Sequence, residues 1–308
     1  MNMTSNIDTR LVEETRRLRD EFTNMTAGFS DDLWKYCKYI TGSPWDGEDL
    51  YQETMIKSFA LLPQRWSDIT DKKQYLFRVA TNTWLDLCRK MKRETGILED
   101  MPDEGIEFSD RLLLEEILVS LHSRLTPKQT AAFLLLDVFQ FSAEEAAGIV
   151  HSTPGGVYAS VQRARKNIAS MDFSKPDGVS GSQESETIQA YLAAFNDGDL
   201  EKMLHLFSEQ AQNEAFLGFQ EFSKEEMLKG SLKFGLPGFY AREFVLWGRP
   251  VIIVLSPEEE IHDLQVQEIE NGRIVRHQSY FFRKELILAA AKELGMKAQL
   301  NKPPVNWE

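Results

Sequence analysis

Cysteine is scarce in this chain of 308 residues: there are two, Cys37 and Cys88, far apart and each inside an apolar-periodic segment. Both read as reduced core thiols, and that count leaves no disulfide framework. The five histidines, His122, His151, His205, His262 and His277, lack metal-ligand spacing and the cysteines do not join them. No glycine-rich phosphate loop occurs, so neither a metal nor another cofactor is expected. No run of about eighteen apolar residues is present, which argues against a membrane span. The segment Met1–Asp8 has neither the basic nor the apolar part of a signal peptide, so the expected location is the cytoplasm. Basic residues are also in deficit, 35 against 48 acidic ones, for a net charge of -13. Such a balance argues against indiscriminate coating of nucleic acid but leaves room for local basic surfaces. The excess is larger per residue after position 170, net -8 against net -5 before it, so the C-terminal part is not expected to touch DNA.

What is present divides into blocks. Residues 1–95 carry apolar positions at helical spacing, and 96–110, acidic with Gly96, Pro102 and Gly105, read as a linker. A second helical block spans 111–170, and 171–185 has the Gly/Ser/Pro composition of a flexible tether. From 186 to 308 the pattern changes to short helices broken at Asn196–Asp199, a helix capped by Ser223, and then strand-like runs at 240–247, 250–255, 261–270 and 273–282. Asn271-Gly272 between the last two is a hairpin signal, because both positions must accept positive φ. Helices followed by a curved antiparallel sheet predict an α+β domain. The fold class is therefore multidomain: two all-α domains, then an α+β domain.

Three constellations carry chemistry. Along 46–62, Leu50, Met55, Ile56, Phe59 and Leu62 are expected inward, while Asp46, Glu48, Asp49, Gln52 and Glu53 form an acidic outer face. That face also suits a helix N-terminus for purely electrostatic reasons. Farther on, Arg78, Asn82, Asp86, Arg89 and Arg93, with Lys90 beside them, make one stripe opposite Leu76, Ala80, Leu87 and Met91. Thr126-Pro127 opens another helix, Ser142 and Glu145 form a capping box, and Thr153 with Pro154 starts a helix after a three-residue turn. In that last helix Val157, Val161, Ala164 and Ile168 point inward, leaving Tyr158, Ala159, Gln162, Arg163 and Lys166 outward. The pattern is a helix-turn-helix whose second helix can enter a major groove.

The runs Asp46–Thr54, Leu76–Asn82 with Leu85-Asp86, and Phe141–Arg165 resemble regions 2 and 4 of extracytoplasmic-function sigma factors, in order and spacing. The stretches Tyr191–Leu200 and Ile274–Phe282 resemble the SnoaL-like cone domain that some of these factors carry as an extension. The resemblance implies that Asp46, Glu48, Asp49, Gln52 and Glu53 dock on the β′ clamp helices of bacterial core RNA polymerase. It implies further that Arg78, Asn82, Arg89, Lys90 and Arg93, with the loop 63–73, handle the promoter −10 element, Trp66 and Trp84 being candidates to stack a melted base. Thr153, Tyr158, Gln162, Arg163, Arg165 and Lys166 would then read the −35 element. Two departures stand out. Gly47 occupies a place where Ala is usual and should loosen its helix by about 1 kcal/mol, and Tyr158 replaces a small polar or basic residue.

Cone domains of this type include isomerases and cyclases that set a carboxylate in an apolar cavity. His262, Asp263 and Tyr280 could supply such a set, with Phe195, Phe207, Phe216, Phe244 and Trp247 as walls; Phe195, Trp247, His262 and Tyr280 are thus the candidate cavity for a small-molecule ligand. A plain core with polar residues alternating outward accounts for the same pattern. Three functions compete: a transcription initiation factor with a regulatory extension, a cone-fold isomerase or hydrolase, and a helix-turn-helix regulator that never joins polymerase. The acidic 46–53 helix favours the first, since neither rival requires it.

Overall fold

The computed structural model describes residues 17, 21–22, 24–60, 68–95, 121, 125–169, 186–216, 219–221, 223–229, 238–302 and 305–306. They divide into two compact units, residues 1–175 and 176–308. Both expected linkers, Trp66, Leu62 and His122 lie outside the described residues. Among those described, no helix is long and apolar enough to cross a membrane.

In the first unit, α1 (Ser30–Thr41) ends at Gly42, whose φ of 75° closes the helix in the left-handed conformation. Ser43 then caps α2 (Pro44–Phe59), accepting a bond from the Asp46 amide with Pro44 in the first turn. The two helices cross at Gly47. A Cβ built there would lie 2.6 Å from the Lys38 Cα, so the residue expected to loosen the helix is what lets two backbones touch. The long α3 (Lys72–Thr95) lays Leu76, Phe77, Ala80, Trp84 and Leu85 into the core. Its outer half differs from expectation, as Leu87 and Met91 are exposed, and so is Ile56 on α2. Trp84 is buried and therefore packs as core.

The second helical block begins with α4 (Pro127–Phe133), held by a reciprocal capping box between Thr126 and Gln129. It runs into a π-helical turn, Leu134–Val138, whose last bond goes from the Phe139 amide to the Leu134 carbonyl. Then come α5 (Ala143–Val150), with the Ser142/Glu145 box in place, and α6 (Pro154–Ala169). Val157, Val161, Ala164 and Ile168 are all buried, as the spacing predicts. The two blocks are not separated in space. Phe77 of α3 meets Phe139 at 5.5 Å and Phe141 at 4.9 Å between ring centroids, Tyr36 of α1 meets Phe139 edge-on at 5.6 Å, and the Gln74 amide donates to the Glu145 carbonyl. An aromatic seam thus joins them.

In the second unit, α7 (Glu186–Asn196) and α8 (Leu200–His205) precede a six-stranded sheet. Its strands are β1 (Phe207–Phe216), β2 (Phe219–Glu221), β3 (Tyr240–Leu246), β4 (Arg249–Leu255), β5 (Ile261–Glu270) and β6 (Arg273–Ser279), in the order β2-β1-β6-β5-β4-β3. A short α9 (Lys224–Lys229), started by Ser223, lies between β2 and β3. Asn271 and Gly272 both take positive φ, 51° and 74°, making the β5–β6 hairpin the turn signal promised. The expected purely antiparallel sheet is corrected in one place: β1 pairs β6 in parallel. Two polar strands, β1 and β2, were not foreseen, because Phe207–Phe216 alternates too weakly to announce itself. One face packs on α7 through Tyr191, Leu192 and Ala194. The chain then forms α10 (Lys284–Leu294), which contacts β5, and a terminal hairpin of β7 (Asn301–Lys302) and β8 (Val305–Asn306).

Candidate functional site

The acidic helix α2 splits its candidates between surface and interior. Asp46 and Asp49 are exposed in its first turns, and Gln52 and Glu53 are half-buried. Glu48 is not on that face. It is 1% exposed, accepts the Trp34 indole N–H at 2.7 Å through Oε2 and the Gln52 amide at 2.6 Å through Oε1, and so ties α2 to α1. A buried carboxylate needs such donors, and Glu48 is therefore a structural residue. Glu53 lies 2.7 Å from Lys57 in an i,i+4 pair. The outward acids are left as a patch centred on Asp46 and Asp49.

On α3 the predicted stripe survives as a surface. Arg89, Lys90 and Arg93 are exposed and Arg78 and Asn82 half-buried. Its charges are partly engaged: Arg89 bonds Asp86 at 2.5 Å, the Arg93 Nε donates to the Arg89 carbonyl, and the Arg78 guanidinium lies 5.7 Å from the Tyr75 ring centroid. Exposed pairs of this kind separate readily when a phosphate competes.

The helix-turn-helix is built by local rules. His151 ends α5 with φ 50°, and the Thr153 hydroxyl caps α6 by accepting from the Gly156 amide at 3.1 Å. The outer face of α6 displays Tyr158, 61% exposed, with Gln162, Arg163, Arg165 and Lys166 beyond it. Arg165 differs from the rest. Its Nε and Nη2 donate to Oδ2 and Oδ1 of Asp137 at 2.8 and 2.7 Å, a two-pronged bond from α6 to the π-helical turn. Sequence reading missed Asp137, since a partner 28 residues away leaves no periodic signal.

In the second unit the four cavity candidates do not converge. Trp247 occupies the β3–β4 turn with φ 48°, at the opposite end of β4 from His262. His262 faces Phe239, Phe281 and Gln299, with ring centroids 4.3 and 5.0 Å away for the two phenylalanines. Phe195 packs against the core on the other side of the sheet, beside Tyr191; Tyr280 is buried and its amide bonds the Leu264 carbonyl. The side chain of Phe216 is outside the described ones. What the inner face gathers instead is a polar row along β5. Tyr191 donates to Gln265, Gln265 to Asp263 Oδ2 at 3.1 Å, and Ser279 to the same oxygen at 2.8 Å, while Gln267 meets His277 at 3.3 Å. Burial pushes Asp263 up to about 6 and His277 down to about 4. On the far side burial holds His262 down to about 4, and it lowers Lys302, whose Nζ donates to the His262 carbonyl, to about 8. The spacing Asp263, Gln265, Gln267 was a readable sign that polar groups occupy one face; their partners on α7 and β6 were not. Among the described residues no group of three or more potential ligands could hold a metal ion.

Comparison with known proteins agrees with the helical geometry. Sigma-70 region 2 matches residues 27–94 and sigma-70 region 4 matches residues 115–168. The two matches fall on α1–α3 and on α4–α6, so the helical unit is similar to sigma-70 regions 2 and 4. An α+β unit follows the region 4 match in the chain. The chain is 28% identical over 225 residues to the extracytoplasmic-function RNA polymerase sigma factor SigG of Mycobacterium tuberculosis, with 63% of this chain aligned, and it spans 60% of that relative's length. With SigM of Bacillus subtilis it shares 23% identity over 148 residues, 46% of this chain and 90% of SigM. The crystal structure of Mycobacterium tuberculosis SigJ is similar at a TM-score of 0.31 and 17% identity, covering 87% of this chain and 95% of SigJ.

Proposed function

We propose that this chain is a cytoplasmic initiation factor that joins bacterial core RNA polymerase and directs it to promoters, acting by binding and DNA melting without a covalent step. The observation that carries this reading is the pairing of two surfaces on the helical unit: the exposed Asp46–Asp49 patch at the start of α2, and the open face of α6 in a helix-turn-helix. The acidic patch faces the β′ clamp helices, the α3 stripe serves the −10 element and α6 the −35 element. Elements about 25 base pairs apart lie about 85 Å apart along B-form duplex. A chain that reads both must therefore open the Phe77–Phe139–Phe141 seam, and core polymerase supplies the binding energy for that opening. The second unit regulates this step; its buried Asp263 row supports a role in sensing a small molecule.

The test is reversal of charge at the patch. Asp46→Lys with Asp49→Lys, both at exposed positions, should abolish co-purification with core polymerase while leaving helix content and melting unchanged. Binding equal to wild type removes the patch from the interface. Promoter-directed transcription with core polymerase, run on the full chain and on one ended after Ala169, reads the regulatory role; equal activity excludes it.

A further inference from the structure

Arg165 stands where the resemblance to sigma region 4 puts a DNA contact, yet here it is already engaged. Both Asp137 oxygens accept from it in a fork that suits guanidinium and carboxylate geometry. The Asp137 side chain is 20% exposed and sits on the π-helical turn, where the widened backbone brings it beneath the last turns of α6. By contrast Tyr158, Gln162 and Arg163 are exposed and have no ion pair or side-chain hydrogen bond among the described residues. Tyr158 and Gln162, four residues apart, lie on one stripe of the helix. Tyr158, 61% exposed, lies in the second turn of α6 just after Gly155 and Gly156, which carry no side chain to cover its ring.

We propose that Asp137 is a positioning residue that fixes α6 and withholds Arg165 from DNA, so that sequence reading falls to Tyr158, Gln162 and Arg163. The inference rests on the reading of α6 as the promoter helix. It makes a distinction that the resemblance alone does not: Arg163 and Arg165 have different jobs. Releasing Arg165 should add one phosphate contact, which is sequence-independent and lengthens the salt dependence rather than sharpening discrimination.

The experiment uses the full chain and two duplexes, one of random sequence and one recovered by selection from a random pool with the wild-type protein. Affinity is measured across a salt series. Asp137→Asn, which preserves shape, should steepen the slope of log K against log salt by about one and tighten both duplexes by the same factor. Arg165→Ala should leave the wild-type slope unchanged, and Tyr158→Ala should lower the ratio of selected to random binding at least ten-fold. A slope that falls by about one in Arg165→Ala overturns the proposal, as does an unchanged slope in a folded Asp137→Asn. A selected-to-random ratio unaffected by Tyr158→Ala removes that residue from the reading. Wild-type protein that enriches no sequence overturns the proposal together with the promoter-helix reading, whereas the charge-reversal test on α2 fails or succeeds independently of it.

Discussion

Replacing Phe77 and Phe139, singly and together, tests whether regions 2 and 4 are one cooperative body. Phe77 has no exposed surface and touches Tyr36, Phe139 and Phe141 at 4.9, 5.5 and 4.9 Å between centroids, so Phe77→Leu removes ring contacts on both sides of the seam. Aromatic pairs of this geometry contribute about 0.5–1.5 kcal/mol beyond the area they bury. Lys73, with its Nζ 5.8 Å from the Phe77 ring and 5.7 Å from that of Phe141, adds attraction that Phe139→Leu leaves unchanged. The cycle of Phe77→Leu, Phe139→Leu and the double variant should therefore give a coupling of about 1 kcal/mol. Urea unfolding of residues 1–175, followed by far-ultraviolet circular dichroism, is the assay, and the wild type should unfold in one transition. Independent sites add within about 0.5 kcal/mol. Additivity within that margin, or two resolved transitions in the wild type, would falsify the seam.

Two further outcomes follow from particular contacts. Gly47→Ala should gain about 1 kcal/mol if helix propensity ruled; because its Cβ would sit 2.6 Å from the backbone of Lys38, which cannot yield cheaply, we expect a loss of about 1–3 kcal/mol by denaturant titration, and any gain refutes the close crossing. In the second unit, burial lowers His262 and His277 to about 4, so between pH 6.5 and 4 the unfolded chain takes up protons that the folded chain refuses, and their contribution to stability is lost as pH falls. Asp263, raised to about 6, acts the other way between about pH 4 and 6, holding a proton when folded that it releases when unfolded. Two groups outweigh one, so stability should rise by about 1 kcal/mol per pH unit from pH 4.5 to 5.5; melting of residues 176–308 that is flat or falls across that interval contradicts these burial assignments.

Much of the fold could be read in advance because it is written locally. The capping box of Ser142 and Glu145, the inward row Val157, Val161, Ala164 and Ile168, and the Asn271-Gly272 turn each need only neighbours in sequence, and each is present. Where reading failed, the deciding contact was distant. Periodicity assigns Ile56, Leu87 and Met91 to a core because they are apolar, but among the described residues Ile56 on α2 and Leu87 and Met91 on the last turns of α3 are exposed. The parallel β1–β6 pairing, the seam through Phe139 and the Asp137–Arg165 bond likewise join residues that no short-range rule relates.

The acidic motif shows why a motif and a surface are different things. Asp46-Gly47-Glu48-Asp49 reads as one polar word, and on a helix four consecutive residues span a full turn. Asp46 and Asp49, three apart, share the outer face; Gly47 and Glu48, between them, must point elsewhere. The inner pair then does what interiors require, Gly47 admitting the α1 backbone and Glu48 receiving the Trp34 and Gln52 donors. The same division recurs on α6, where Arg163 is outward and unengaged among the described residues, Ala164 is core, and Arg165 is held by Asp137. In both motifs, one set of residues holds the helix in place so that the rest can be presented. A substitution in the holding set should therefore register first in folding or in helix position, and only through them in the binding of polymerase or DNA.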